Sequence, residues 1–516
     1  MTDKIKPFVY DELKLPKMLT FMGVVLRRRC VTIFRMGNRL VYVLRWERPS
    51  SDTDDDTLRR DDNALMVETV TNIKLHEFAV EFVPFGQLLV GKNGAPPTIK
   101  RIAPPKTLSL QFMEARDRWR FNVLAGLIQT PTLRKDGTLL DKPGWDKESG
   151  LYLDTNGVDF PAIKDKPTRA DALKALAFLK EPFKEFPFDT MTTDNFEQAC
   201  PSLSVALSGI LTGLIRRTLR AAPLHLFDAP EAGSGKGLLC SVITNIVTGQ
   251  NATAITLGSE ENDVKKLLFT ALIENHSVIV FDNLTRALGG PSLCSAMTEE
   301  TLTDRILGVT KSATVPTNAL FLASGNNIEV AGDMHRRVIG ARIEPGENPE
   351  ERTFERPDLI AWVKENRPAL VAAGLTVLRA YQVAGFPKAD IPAFGSFEEW
   401  SDRVRSALVW LGEADPCMTR ARFKEQEPER EALADVLRVL ADITGPKFML
   451  AHDIIADANH QTGLQDALSL AGIGLEAVSV GKYLGKNKGR TINGIRLDQG
   501  HDGKRKIATY KATKVG

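Results

Sequence analysis

The chain lacks the spacing that organises a zinc site or a disulfide scaffold. Its five cysteines (Cys30, Cys200, Cys240, Cys294 and Cys417) are far apart, with no Cys-x-x-Cys pair and no Cys/His cluster, so reduced thiols in a cytosolic protein are expected. Any run of about 18 apolar residues is also missing, as is an apolar leader behind the early charges, which argues against a membrane span and against secretion. Nor is there a large net charge, only +2 over 516 residues. That balance hides an asymmetry, because from Gly481 onward ten lysines and arginines face two aspartates. A basic C-terminal domain predicts a nucleic-acid partner. The apolar content of 43% permits packed cores, and the length predicts about three domains.

What the chain does have is a glycine-rich turn. Asp228-Ala-Pro-Glu-Ala-Gly-Ser-Gly-Lys-Gly follows the apolar run Leu224 to Phe227 and precedes a helical pattern. Gly233 and Gly235 let successive backbone N–H groups turn onto phosphate oxygens, the helix N-terminus adds partial positive charge, and Lys236 can reach the β and γ phosphates. Pro230, Glu231, Ala232, Gly233, Ser234, Gly235, Lys236, Gly237 and Leu238 therefore form a candidate ATP site, with an ordinary strand-to-helix turn as the plain alternative. Two positions depart from GxxxxGK[ST]: Pro230 replaces the first glycine, and Gly237 replaces the hydroxyl that would hold Mg²⁺. Nucleotide binding follows more directly from this loop than rapid hydrolysis does.

The strand His276 to Asp282 ends in an acid 46 residues after Lys236, so Asp282 is the candidate Mg²⁺ ligand, although a strand-end Asp can also cap a helix. Asn283 occupies the place of a water-activating carboxylate and cannot accept a proton at neutral pH. Glu260 and Glu261 are candidate bases, or simply an acidic first turn complementing a helix dipole. The strand 318–324 leads to Gly325-Asn326-Asn327, where Asn326 is favoured as an amide that orients the attacking water and turn chemistry is the alternative. Arg336 and Arg337, ahead of an apolar strand, suit neutralisation of a γ-phosphate across a subunit boundary, which predicts a ring.

Along the chain, residues 1–110 predict a β-rich accessory domain, with strands at 30–34, 40–46, 77–83 and 87–90. Within it the run Asp54-Asp55-Asp56 suits a solvated acidic loop better than a metal site. Residues 111–200 form a connector. Residues 201–345 alternate strand and helix (strands near 224–228, 252–257, 277–282 and 318–324; helices near 237–247, 261–274 and 291–298), which predicts an α/β core on a parallel sheet. Residues 346–443 predict a helical lid or bundle. Residues 444–516 predict a winged helix with Ser479 as N-cap. Its candidate DNA contacts are Lys482, Tyr483 and Lys486 on the recognition helix, with Lys488, Arg490, Lys504, Arg505 and Lys506 in or beside the wing.

The order Gly-Ser-Gly-Lys, Val-Phe-Asp-Asn, Ser-Gly-Asn-Asn, Asp-Met-His-Arg-Arg resembles the AAA+ ATPases close to superfamily-3 helicases that bacteriophages and mobile elements encode for replication. The stretches Thr130-Pro-Thr-Leu-Arg-Lys-Asp-Gly, Pro143-Gly-Trp-Asp, Gly395-Ser-Phe-Glu-Glu-Trp-Ser-Asp and Val409-Trp-Leu-Gly-Glu-Ala-Asp-Pro are similar to segments of the same group, so the resemblance spans about residues 110–515. It implies a P-loop AAA+ core in a hexameric ring that couples ATP hydrolysis to movement on DNA, with possible replication proteins as partners, in the bacterial cytoplasm or an infected cell. Lys236 and Asp282 would serve the nucleotide, Asn326 would be the sensor, and Arg336 or Arg337 the finger. The group tolerates Asn after the strand-end Asp. Some relatives carry a primase ahead of the motor, and nothing in residues 1–110 supports one here.

Overall fold

The computed structural model describes residues 5–45, 65–91, 95–189, 200–251, 254–257, 260–284, 287–305, 312–344, 352–425, 428–457, 461–501 and 507–515. The chain divides into two compact units, one formed by residues 1–286, 290–328 and 337–418, the other by 287–289, 329–336 and 419–516.

The first unit is built on a five-stranded parallel sheet. Strands β1 (Leu224–Ala229), β2 (Ala254–Ile255), β3 (Val278–Leu284), β4 (Leu320–Asn326) and β5 (Val338–Arg342) lie in the order β2-β3-β4-β1-β5. β1 is buried along its whole length and β4 along all but its last residue, as in a sheet covered on both faces, with His225, Asp228 and Ser324 as the buried polar residues among mostly apolar neighbours. Helices α1 (Lys236–Thr248), α2 (Glu261–Ile273) and α3 (Pro291–Thr298) follow the strands as the sequence pattern predicts. Two elements are unanticipated. The helix Pro201–Ile215 is almost wholly buried against α1 and β5, and an antiparallel hairpin (Thr301–Arg305 with Ser312–Pro316) is inserted between α3 and β4.

Residues 1–110 are not predominantly β. Helices Leu15–Arg29, Asn72–Phe82 and Lys106–Glu114 join two three-stranded sheets and share one core with them. The expected strand at 77–83 falls inside the second of these helices. Thr71 Oγ1 caps it, accepting from Lys74 N at 3.1 Å, and Leu75 and Ala79, one turn apart, are buried. Asp54, Asp55 and Asp56 lie outside the described residues.

The helical region expected at 346–443 does not form a body of its own. Helix α4 (Leu359–Val383) packs on α1 and on the helix Arg169–Leu179 of the first unit. Helix α5 (Pro428–Thr444) instead turns Leu433, Val436, Leu437 and Leu440 into the core of the second unit. That 3-4 spacing is one apolar stripe, and it moves the boundary back to 418/419. The stripe meets helices α6 (Ala451–Ala456), α7 (Gln461–Leu470) and α8 (Ala477–Lys486). Strands β6 (Met449–Leu450), β7 (Thr491–Ile492), β8 (Ile495–His501) and β9 (Ala508–Lys514) pair antiparallel in the order β6-β9-β8-β7. Glu476, not Ser479, holds the N-cap position of α8, and Ser479 lies within the helix. Among the described residues no helix is long and apolar enough to cross a membrane.

Candidate nucleotide site and basic groove

β1 delivers the glycine-rich turn to the carboxyl edge of the sheet. Gly233 (φ 74°) and Gly235 (φ 93°) are left-handed, a conformation that other residues reach only with strain. At Gly235 a Cβ would also stand 3.2 Å from Phe186 Cε1. Helix α1 begins at the next residue. Lys236 Nζ donates to Glu231 O at 2.8 Å and to Ser234 Oγ at 2.7 Å, and Ser234 Oγ donates to Glu231 O at 3.0 Å. Burial pulls the Lys236 ammonium below the usual lysine range, against the opposing fields of Asp228 and Asp282.

Asp282 is aimed by a bulge. The register of β3 against β4 shifts between Phe281 and Leu284, and Asn283 takes φ 51°. Asp282 Oδ1 accepts from the backbone N–H of Asn283 at 2.9 Å and from the Ser324 hydroxyl on β4. A Cβ placed on Gly237 would lie 4.0 Å from the same Oδ1 and would meet nothing nearer. The geometry therefore brings Lys236, Gly237, Asp282 and Ser324 together. Asp282 would supply one carboxylate to a Mg²⁺, an ion that takes one or two protein carboxylates and leaves its other ligands to phosphate and water.

The two asparagines separate by strand alternation. Asn326 lies two residues beyond Ser324 and shares its face of β4, the Asp282 side. Asn327, left-handed at φ 47°, binds the start of the loop instead, with its N–H on Ala229 O at 3.0 Å and its Nδ2 on Pro230 O at 3.2 Å. Beneath the loop, buried Asp228 pairs with Arg342 at 2.8 Å and accepts from Ile328 N at 2.9 Å; Arg342 also reaches Asn327 Oδ1 at 3.4 Å. Ser324, Asp228, Arg342 and Asn327 are contributors that sequence reasoning missed or set second. Asp228, Ser324 and Asn327 lie at or within the quoted motifs, but their partners are 42 to 114 residues away, so local spacing does not reveal these contacts.

Glu261 has another task. Its Oε1 accepts from Ser292 N at 2.8 Å and so caps the first turn of α3, which displaces it from the candidate bases. Glu260 is exposed at the N-cap of α2, and its side chain caps nothing. Among the described residues, no hydrogen bond ties Glu260 to Lys236 or Asp282.

Arg337 precedes β5, and its carbonyl accepts from Leu224 N at 2.9 Å. The register aligns Val338 with Leu224 and Arg342 with Asp228, so Arg337 stands at the amino edge of the sheet, about 16 Å along β1 from the loop. Arg336, just before it, pairs with Asp333 in a 3₁₀ turn, Nε to Oδ1 at 2.9 Å.

In the second unit α8 borders a groove of about 400 Å³ lined by Ser479, Lys482, Tyr483, Lys486, Asn487 and Arg490, with Ala471 and Ile473. Four of the expected DNA contacts thus converge on one surface. Arg490 donates to Asn487 Oδ1 at 3.0 Å. Lys488 is exposed outside the lining, and Lys504, Arg505 and Lys506 lie outside the described residues.

No family model matches the chain, and no curated protein does. Among solved structures the chain is similar to an A-form apo structure of the NrS-1 C-terminal region, 13% identical over 84% of this chain and 94% of that one, with a TM-score of 0.37. Another apo structure of that region gives 12% identity, 88% and 94% coverage, and a TM-score of 0.36. A JCV helicase bound to a thiazolopyridinyl-phenoxyphenyl acetamide gives 13% identity, 48% and 74% coverage, and a TM-score of 0.20. Likeness at this level specifies neither fold nor function.

Proposed function

We propose that this chain is an ATP-dependent DNA helicase or translocase of a bacteriophage or mobile element, a P-loop AAA+ motor with a C-terminal winged helix. ATP and Mg²⁺ bind at Lys236 and Asp282, Asn326 orients the attacking water, and Arg336 or Arg337 reaches the γ-phosphate from the next subunit of a ring, which the family resemblance makes a hexamer. The single observation that carries this reading is the convergence of Lys236, Gly237 and Asp282 at the carboxyl edge of a parallel sheet. The groove bordered by Lys482, Lys486 and Arg490 supports DNA as the track. Steady-state hydrolysis by the wild type and by Lys236→Ala, with and without single-stranded DNA, tests it. The expected outcome is a rate that DNA raises several-fold and that the substitution lowers by roughly 10²-fold.

A second reading is favoured by Gly237 and Asn283, which remove a hydroxyl and a base from the usual hydrolytic set. In it the chain is a DNA-binding loader or regulator whose ATP site is a slow assembly switch. Tight ATP binding with slow turnover indifferent to DNA would select it.

A further inference from the structure

Gly237 removes a hydroxyl, and β4 supplies one to the same carboxylate. Asp282 Oδ1 accepts from Ser324 Oγ on one side, while a side chain at Gly237 would approach that oxygen from the loop side with 4.0 Å between Cβ and Oδ1. In a loop ending in Lys-Ser or Lys-Thr, one hydroxyl serves the metal directly and stands beside the strand-end acid. Here that task is divided. Resting on the nucleotide-site reading above, we propose that Ser324 is a positioning residue for the Mg²⁺ of a bound nucleotide: it holds Asp282 in its metal-facing rotamer, and a metal-bound water takes the space beside Gly237.

Several features support the division. Ser324 is buried, with 2% exposure, at the sheet's carboxyl edge, so its hydroxyl has a fixed direction. Oδ1 already receives two donors, from Asn283 N–H and Ser324 O–H, which fixes the carboxylate's orientation, so Oδ2 would be the oxygen that serves a metal or its water. Gly237 has no positive φ and no crowding neighbour, so a serine fits there without strain. Second-layer partners of a metal-binding carboxylate act through orientation, and losing one weakens metal affinity by roughly 10- to 100-fold.

The test is Mg²⁺-dependent binding of a fluorescent ADP analogue to the full chain as wild type, Ser324→Ala, Gly237→Ser and the double variant, each also in EDTA. Ser324→Ala is expected to raise the Mg²⁺ midpoint by roughly 10-fold while leaving affinity in EDTA unchanged. Gly237→Ser in the Ser324→Ala background is expected to bring the midpoint back, which also shows that the alanine variant is folded. A midpoint unmoved by Ser324→Ala, an equal loss of affinity with and without Mg²⁺, or no rescue by Gly237→Ser overturns the proposal while leaving the nucleotide site intact. Failure of the wild type to bind the analogue under any condition overturns the nucleotide-site reading and this proposal with it.

Discussion

His225 shows what a buried polar residue costs and supplies in this fold. It sits fully buried in β1, its Nε2 3.0 Å from Ser208 Oγ, with Trp400 edge-on at 6.4 Å. Burial pushes its pKa down to about 3, so the folded chain keeps the ring neutral where an unfolded chain would protonate it. The sign follows directly. Between the unfolded value near 6.5 and about 3 the unfolded state binds more protons, so stability rises with pH across that window and falls as the medium is acidified. The slope from this one group is about 1.4 kcal/mol per pH unit. Urea denaturation from pH 7 to pH 4 should therefore show a shallower pH dependence for His225→Gln than for the wild type, and parallel profiles would rule out this assignment. Asp228 is the contrasting case on the same strand. Arg342 crosses from β5 to pair with it at 2.8 Å, and breaking that pair would leave a buried carboxylate without its partner directly under the glycine-rich loop.

At the scale of elements, α8 is the part whose function can be separated from the rest. It presents Lys482 and Lys486, both exposed, to a groove of its own unit, while Val480 and Leu484 face the core. Neutralising the two lysines should thus leave folding intact and weaken DNA binding across sequences. Each phosphate that goes without its cation reduces the slope of log K against log salt by about 1, so Lys482→Ala with Lys486→Ala should flatten it by about 2. Titrations between 50 and 200 mM salt measure this, and an unchanged slope would remove α8 from the interface. Elements of this kind are legible in the sequence because their signals are local. An apolar run before Gly-Ser-Gly-Lys, the acid ending the next such run, and a cluster of lysines on one helix need no tertiary knowledge. The segment His76-Glu-Phe-Ala-Val-Glu-Phe misleads because its apolar positions fit a strand as well as a helix, and the cap at Thr71 lies upstream of it. Ser324, Arg342 and the capping role of Glu261 are invisible for a different reason. Each acts through a partner 31 to 114 residues away, and only the sheet order brings those partners together. The boundary at 418/419 has the same cause, since the stripe on α5 states that it has a partner without stating which one.

At the scale of the whole molecule, the parallel register decides what one chain can do alone. The glycine-rich loop leaves the carboxyl end of β1, whereas Arg337 enters at the amino end of the neighbouring β5. An arginine fixed at that edge is some 16 Å of strand away from the loop of its own chain, so any service to a γ-phosphate falls to a second copy. A surface bearing the loop that meets a different surface bearing the arginines is a heterologous contact, the kind that closes into a ring when the rotation allows. This makes complementation the decisive measurement. Lys236→Ala and a chain carrying Arg336→Ala with Arg337→Ala should each be inactive alone. Co-expressed, they form some interfaces in which an intact loop meets an intact arginine pair. Random assembly makes about one interface in four of this kind, so ATP hydrolysis should recover to about a quarter of the wild-type rate if sites fire independently. No recovery, with mixed assemblies shown by size and by tagged co-purification, would exclude service in trans and leave Arg336 and Arg337 as supports of the turn that precedes β5.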